Sequence, residues 1–178
     1  MKHLLALLLF LPTLALADDW DAFSQPGAHA IMRHALAPGG GDPANFDVND
    51  CATQRNLSDR GRDQARAIGQ ALKDRGIAFD RILTSQWCRS RETAELLGMG
   101  PVTEEPALNS FFQDRSTAQT QTQTTRDIAA GATGPLMMVA HQVNITALTG
   151  VFPASGEIVV FRVTDEGIDV LGQIEIAP

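Results

Sequence analysis

The order of apolar and amphipathic segments predicts an α/β fold, a three-layer sandwich with a mostly parallel central sheet, helices on both faces and an antiparallel C-terminal hairpin. Short apolar runs, which are typical of buried strands, alternate along the chain with amphipathic stretches of helical length. The chain then ends in two strand-like segments joined by Asp165-Glu166-Gly167, a turn signal that indicates a hairpin.

The strands are predicted from runs of apolar and β-branched residues that are bounded by turn residues. The cleanest is Leu136–Ala140, because all five of its residues are apolar. The predicted strands cover residues 28–34, 79–84, 101–108, 136–140, 157–163 and 168–176.

The helices are predicted from apolar residues that recur at helical spacing between the strands. Ser58 is a favourable N-cap for the first of them, and Gly76 ends it. Residues 87–97, 117–130 and 143–148 form the others. A loop of unusual length, residues 36–56, precedes the first helix and contains three consecutive glycines; we interpret it as a flexible rim, since loops this long are usually functional or disordered.

The N-terminal segment predicts export. Lys2 and His3 precede an apolar stretch, and Ala15-Leu16-Ala17 is a small-x-small cleavage site, so residues 1–17 read as a secretory signal peptide. Cleavage after Ala17 would leave a domain of residues 18–178 in the periplasm or outside the cell. The alternative is an uncleaved N-terminal anchor.

The net charge and the hydropathy of the chain limit the kinds of partner that this domain can bind. The net charge of the whole chain is −7, which disfavours binding to nucleic acid or to anionic lipid. No stretch after the N-terminal segment is apolar enough to predict a membrane span in the mature chain. Any anion must therefore be bound by a local basic pocket.

The two cysteines, Cys51 and Cys88, predict a disulfide bond, because exported proteins fold in oxidising compartments. One buried and one exposed free thiol is the alternative. A zinc site that combines them with His34 and His141 is a weaker alternative, since the spacing matches no compact metal motif. We therefore predict no metal and no cofactor.

Arginine and histidine residues follow several predicted strands. Arg33 and His34 end the first strand, Arg89 comes shortly after the second, and His141 follows the strand at 136–140. Ligands of open α/β sheets bind beyond the carboxyl ends of the strands. We therefore expect these four side chains to meet at one edge of the sheet, where they could hold an anion.

These segments resemble the motifs of the histidine phosphatase superfamily, the phosphoglycerate-mutase-like fold. Arg33-His34-Ala35 resembles the family's Arg-His-Gly, with alanine in place of glycine. Residues 57–65 match its second block, Leu-Ser-x-x-Gly-x-x-Gln-Ala. Ser85, Arg89, Thr93 and Ala94 match a third, and His141 is similar to the late histidine that follows a buried strand. The ordered set spans nearly the whole mature chain.

The resemblance implies phosphoryl transfer without a metal. It implies that His34 is the nucleophile and that Arg33 and Arg89 hold the phosphate oxygens through planar, permanently charged guanidinium groups. It also implies that His141 binds phosphate and donates a hydrogen bond that stabilises charge in the transition state.

The sequence departs from the family pattern at the positions where relatives carry the general acid. Relatives carry a glutamate where this chain has Asn109, or an acidic residue where it has Gln142. Asp114 is the nearest carboxylate in the corresponding segment and is the candidate acid. It could instead pair with Arg115 or cap the next helix. A substrate with a good leaving group would not need a strong acid.

These observations predict an exported phosphoric ester hydrolase that acts through a phosphohistidine on His34. Short insertions leave no large cap domain, so an open pocket could accept a phosphorylated small molecule, glycan or protein. Two alternatives remain: a non-catalytic phosphate-binding member of the same fold, and a phosphomutase, against which export argues.

Overall fold

The computed structural model describes residues 19–178, so the predicted signal peptide lies outside the described part of the chain. The predicted fold class is confirmed: a single mixed sheet of six strands in the order β3-β2-β4-β1-β5-β6 lies between helices. The pairs β1–β4, β2–β4 and β2–β3 are parallel, whereas β1–β5 and β5–β6 are antiparallel. The β5–β6 pair is the predicted C-terminal hairpin.

The elements alternate as the sequence predicts, with small differences in their bounds. The strands are β1 His29–Arg33, β2 Arg81–Thr84, β3 Val102–Glu104, β4 Leu136–Ala140, β5 Ile158–Thr164 and β6 Gly167–Ile174. The α-helices are α1 Asp59–Asp74, α2 Cys88–Leu97, α3 Ala118–Ala130 and α4 Gln142–Thr149.

Each face of the sheet has its own apolar core, which gives the three layers. Neighbouring strand residues point to opposite faces, so Met32 packs in one core and Ile31 in the other. The first core includes Ile68 of α1 and Leu97 of α2, whereas the second includes residues of α3 and α4 such as Ile145. Burial of both faces explains why β4 is apolar throughout.

Helix α1 is fixed at its start and along its length. The Ser58 hydroxyl accepts a hydrogen bond from the backbone N–H of Gly61 at 3.1 Å and so caps the helix as predicted. A side chain at Gly69 would collide with the backbone carbonyl of Leu97, so glycine is what allows α1 to pack closely on the end of α2.

The predicted disulfide is present, and it ties the long loop to helix α2. Cys51 and Cys88 are bonded to each other, with Cα atoms 5.7 Å apart and a sequence separation of 37. Closing a loop of this length stabilises a protein by about 3–4 kcal/mol on the chain-entropy model. Because Cys88 is the first residue of α2, the bond holds residues 36–56 beside Arg89.

No helix within residues 19–178 is both long enough and apolar enough to cross a membrane.

Candidate active site

Adjacent strand ends bring the two predicted site histidines together. β1 and β4 are parallel neighbours, with Arg33 level with Ala140, so His34 and His141 leave the sheet side by side. The backbone N–H of His34 donates to the carbonyl of Ala140 at 3.0 Å, and the two imidazole rings are 5.4 Å apart. Arg89 comes from the first turn of α2, directly after β2. The four predicted residues therefore line one pocket.

The imidazole of His34 is oriented by its neighbour. Its Nδ1 lies 2.8 Å from the carbonyl oxygen of Ala35, and a carbonyl oxygen only accepts, so Nδ1 carries the proton. Nε2 therefore has the lone pair, and the Nε of Arg89 donates to it at 3.2 Å. Burial, followed by the charge of Arg89, lowers the pKa of His34 well below its usual value. His34 is neutral at neutral pH.

His141 is held by a short chain of hydrogen bonds. Its Nε2 lies 2.8 Å from the hydroxyl of Ser85, which donates in turn to the side-chain oxygen of Asn109 at 3.3 Å. Since Ser85 donates to Asn109, His141 is the donor to Ser85, and its Nδ1 lone pair faces Arg89. In this arrangement Nδ1 accepts a hydrogen bond, so the structure does not show the donor role toward phosphate that the resemblance implies. Burial, and then the charge of Arg89, lowers the pKa of His141 well below its usual value.

Arg33 is one of the residues that line the pocket. Its NH1 donates to the carbonyl of Pro153 at 3.0 Å, but its Nε is buried and has no hydrogen-bond partner among the described residues. Burial, and then the charge of Arg89, lowers the pKa of Arg33. The half-buried guanidinium group of Arg33 lines the pocket, and its positive charge suits an oxyanion.

Two pocket residues, Asp42 and Arg55, were not predicted from the sequence. Both come from the long loop, and Arg55 is held by carbonyl groups of that loop, those of Ala37 and Gly41. Burial, and then the charge of Arg89, lowers the pKa of Arg55 to about 10, so it remains a cation at neutral pH. The length of the loop was the only sequence signal, because neither residue belongs to a periodic pattern.

Asp42 is a buried carboxylate with donors on both oxygens. Arg89 donates to one oxygen from NH1 at 2.6 Å and to the other from NH2 at 3.1 Å. The indole of Trp87 and the backbone N–H of Arg55 complete the set, at 3.0 and 3.1 Å. Burial alone would raise the pKa of Asp42, but these hydrogen bonds and the charge of Arg89 lower it below the usual value.

Asp114, the candidate acid, does not join the other predicted residues. Its carboxylate accepts from the backbone N–H of Ser116 at 2.9 Å and caps the short helical turn Arg115–Thr117. That backbone hydrogen bond lowers the pKa of Asp114, and the side chain is exposed outside the pocket. Asp114 therefore acts as a cap, which was the alternative that the sequence left open. It lies outside the pocket and has no role in the proposed mechanism.

The pocket that these residues form has a volume of about 150 Å³ and is basic. Among residues 19–178, Asp42 is the only carboxylate that lines it, against the guanidinium groups of Arg33, Arg55 and Arg89. With both histidines neutral, two net positive charges remain. Phe112 and Trp87 form part of the wall. Within the same residues, no group of three or more histidine, cysteine, aspartate or glutamate side chains is arranged to hold a metal ion.

A model of the histidine phosphatase superfamily (branch 1) matches residues 31–130, more than half of the chain. The protein belongs to this superfamily of phosphatases and related phosphomutases. A sequence relative is the serine/threonine-protein phosphatase Pgam5, mitochondrial, of Drosophila grimshawi, which is 41% identical over 52 residues. That match covers 29% of this chain and only 18% of the relative, so the chain spans under a fifth of the relative's length.

Solved structures share the fold at low sequence identity. The protein histidine phosphatase SixA, in complex with tungstate, has a TM-score of 0.61 at 18% identity and covers 83% of this chain and 96% of its own. Phosphoserine phosphatase from Entamoeba histolytica, in complex with 3-phosphoglyceric acid, also has a TM-score of 0.61, at 14% identity, and covers 84% of this chain and 97% of its own. At these identities the likeness concerns the fold alone.

Proposed function

We propose that the protein is an exported phosphatase that hydrolyses a phosphomonoester, or a related phosphoryl group, through a phosphohistidine intermediate on His34. The observation that carries the proposal is the orientation of this imidazole. Its Nδ1–H is bound to the carbonyl of Ala35, so the lone pair of Nε2 faces Arg89 and the pocket. A neutral, buried imidazole whose Nε2 carries no proton is a competent nucleophile.

The reaction has two steps. In the first, Nε2 of His34 attacks phosphorus, the N–P bond forms and the bond from phosphorus to the leaving oxygen breaks. In the second, water attacks phosphorus, the N–P bond breaks and its electron pair returns to Nε2. The leaving oxygen takes a proton from solvent and the attacking water returns one, so protons balance over the cycle.

Charge in the pocket supports binding of a phosphate dianion. Two net positive charges match the two negative charges of a phosphomonoester, and guanidinium groups bind phosphate oxygens in pairs. Arg33, Arg55 and Arg89 all line the pocket and supply that positive charge. Preorganised donors of this kind stabilise the charge that spreads over the phosphoryl oxygens in the transition state.

The missing acid favours particular substrates. Among the described residues, Asp42 is the only carboxylate that lines the pocket, and Arg89 keeps it ionised. A leaving group that departs without strong proton donation, such as the nitrogen of a phosphohistidine or the phosphate of an anhydride, suits such a pocket.

A phosphate-binding protein without turnover is the second candidate function. It is favoured by Asn109 and Gln142, which stand where relatives carry acids. The side-chain oxygen of Asn109 is already bound to the backbone N–H of Gln86, and Gln142 donates to the hydroxyl of Thr146.

Export is part of the proposal. The bond between Cys51 and Cys88 supports it, because disulfides persist in oxidising compartments and are rare in the cytosol. Intact mass of the protein recovered from periplasm or medium should correspond to a chain that begins at Asp18. A full-length chain recovered only from the cytosol contradicts export.

The mechanism is tested with p-nitrophenyl phosphate and a trapping experiment. His34→Ala should abolish turnover, and acid quenching of the wild type should trap a phosphoryl label that is labile in acid and stable in base, as expected for phosphohistidine. His29→Gln is the matched control, because His29 lies at the opposite end of β1 and bonds to the backbone N–H of Leu136. Normal turnover by His34→Ala rules out the mechanism, and phosphate binding without wild-type turnover supports the second candidate.

A further inference from the structure

Arg89 has two hydrogen-bonding edges, and they have different partners. Asp42 binds the NH1/NH2 end of the guanidinium group: one carboxylate oxygen accepts a hydrogen bond from NH1 and the other accepts one from NH2. The side formed by Nε and NH2 points the other way, to Nε2 of His34 at 3.2 Å and Nδ1 of His141 at 3.5 Å. A guanidinium group binds an oxyanion through either edge, and here only the second faces the two histidines.

Asp42 is itself held rigidly. Its side chain is 7% exposed, and Trp87 and the backbone of Arg55 donate to the oxygens that Arg89 also uses. The loop that carries it is bonded to the start of α2 through Cys51 and Cys88. The disulfide therefore ties the loop that carries Asp42 to the helix that carries Arg89.

We propose that Asp42 is a positioning residue, which holds Arg89 so that its Nε/NH2 edge faces a phosphate bound between His34 and His141. The inference rests on the proposed site, and it assigns a function to a loop residue outside the motifs. Asp42 also supplies the negative charge that allows Arg33, Arg55 and Arg89 to lie together in one pocket.

Positioning of Arg89 by Asp42 and simple charge counting predict opposite changes in phosphate affinity when the charge of Asp42 is removed. Asp42→Asn removes a negative charge from the pocket, so charge alone predicts tighter binding of phosphate. If Asp42 positions Arg89, the variant should bind inorganic phosphate about tenfold more weakly, because the guanidinium group loses its fixed orientation. Isothermal titration of the folded, oxidised protein measures this dissociation constant, and an unchanged or tighter constant overturns the inference.

A double-mutant cycle tests whether Asp42 acts through Arg89. Arg89→Lys keeps the charge but lacks the two-edged fork, so adding Asp42→Asn to it should weaken phosphate binding by less than about threefold. The full tenfold loss in the Arg89→Lys background shows that Asp42 acts independently and overturns the inference. Asp50→Asn is the control, because Asp50 lies on the same loop, caps a short helical turn and should leave phosphate binding unchanged.

Turnover separates positioning from acid catalysis. A positioning role predicts that Asp42→Asn lowers kcat by the same factor for phenyl phosphate and for p-nitrophenyl phosphate, whereas an acid would matter far more for the poorer leaving group, phenol. A loss confined to phenyl phosphate overturns the inference. Phosphate binding is the readout even if the wild type has no turnover, so failure of the proposed enzyme activity is distinguishable from failure of this inference.

Trp87→Phe gives a milder test in case Asp42→Asn does not fold. It removes one donor to Asp42 and keeps an aromatic ring, so phosphate binding should weaken by about threefold. Circular dichroism and thermal unfolding establish that each variant is folded. Binding by Trp87→Phe that is equal to or tighter than that of the wild type counts against the inference.

Discussion

Lowering the pH from about 7.5 to about 5.5 should destabilise the protein by about 3 kcal/mol through His34 and His141 alone. Both imidazoles are buried, and the pKa of each lies well below the usual 6.5 in the folded protein, because of burial and the nearby arginines. In the unfolded chain each titrates at its usual value. The unfolded state therefore binds protons that the folded state does not.

The sign and size follow from this difference. A group whose folded pKa is lowered and which is neutral when deprotonated loses stability as the pH falls below its unfolded pKa, and the loss continues to the folded pKa. At about one pH unit below 6.5, each histidine contributes about half of the expected loss of stability. Asp42 does not interfere, because its pKa is lowered from 3.8 and its contribution is lost only at more acidic pH.

Urea denaturation at the two pH values measures the effect. The wild type should lose the full amount of stability, and His34→Asn should lose about half as much, since only His141 of the pair then titrates. His29, whose pKa is also lowered by burial, is present in both proteins and cancels in the comparison. A free energy of unfolding that is constant over this range, or an equal loss in both proteins, refutes the conclusion that these imidazoles are held neutral.

Two further predictions concern Asp114 and the disulfide. Asp114→Asn should change kcat by less than about twofold for both good and poor leaving groups, because asparagine also caps a helix; a selective loss with phenyl phosphate would return Asp114 to the role of acid. Thiol titration of the denatured, unreduced protein should find no free cysteine, and Cys51→Ala with Cys88→Ala should lower the free energy of unfolding by about 3–4 kcal/mol. Two free thiols, or unchanged stability, contradict these expectations.

The sequence predicts those parts of the fold that depend on periodic burial. β4 was predicted at 136–140 and occupies the same residues, because a strand covered on both faces must be apolar at every position. The predicted strand at 101–108 was wrong over its second half. It ends at Glu104, and residues Pro106–Leu108 form a helical turn, because proline has no N–H to give to the sheet.

The site residues that follow strands were predictable from the sequence, whereas those that the long loop contributes were not. Parallel strands end at a common edge, so the spacing of Arg33, His34 and His141 along the chain was enough to bring them together. Asp42 and Arg55 reach the pocket only because a disulfide and many specific contacts shape residues 36–56. Those contacts produce no periodic pattern in the sequence, so the composition and length of the loop indicated only a flexible rim.

Local charge explains how an acidic protein contains a basic pocket. The chain carries a net charge of −7, yet three guanidinium groups meet within one small pocket, and both of its histidines stay neutral. Three cations packed without an anion would repel one another and lose hydration, which is costly in a buried site. One carboxylate, Asp42, offsets part of that repulsion and leaves the pocket with two net positive charges. Gln142 lines the same pocket, and a carboxylate at that position would reduce this positive charge, which gives a physical reason for an amide there.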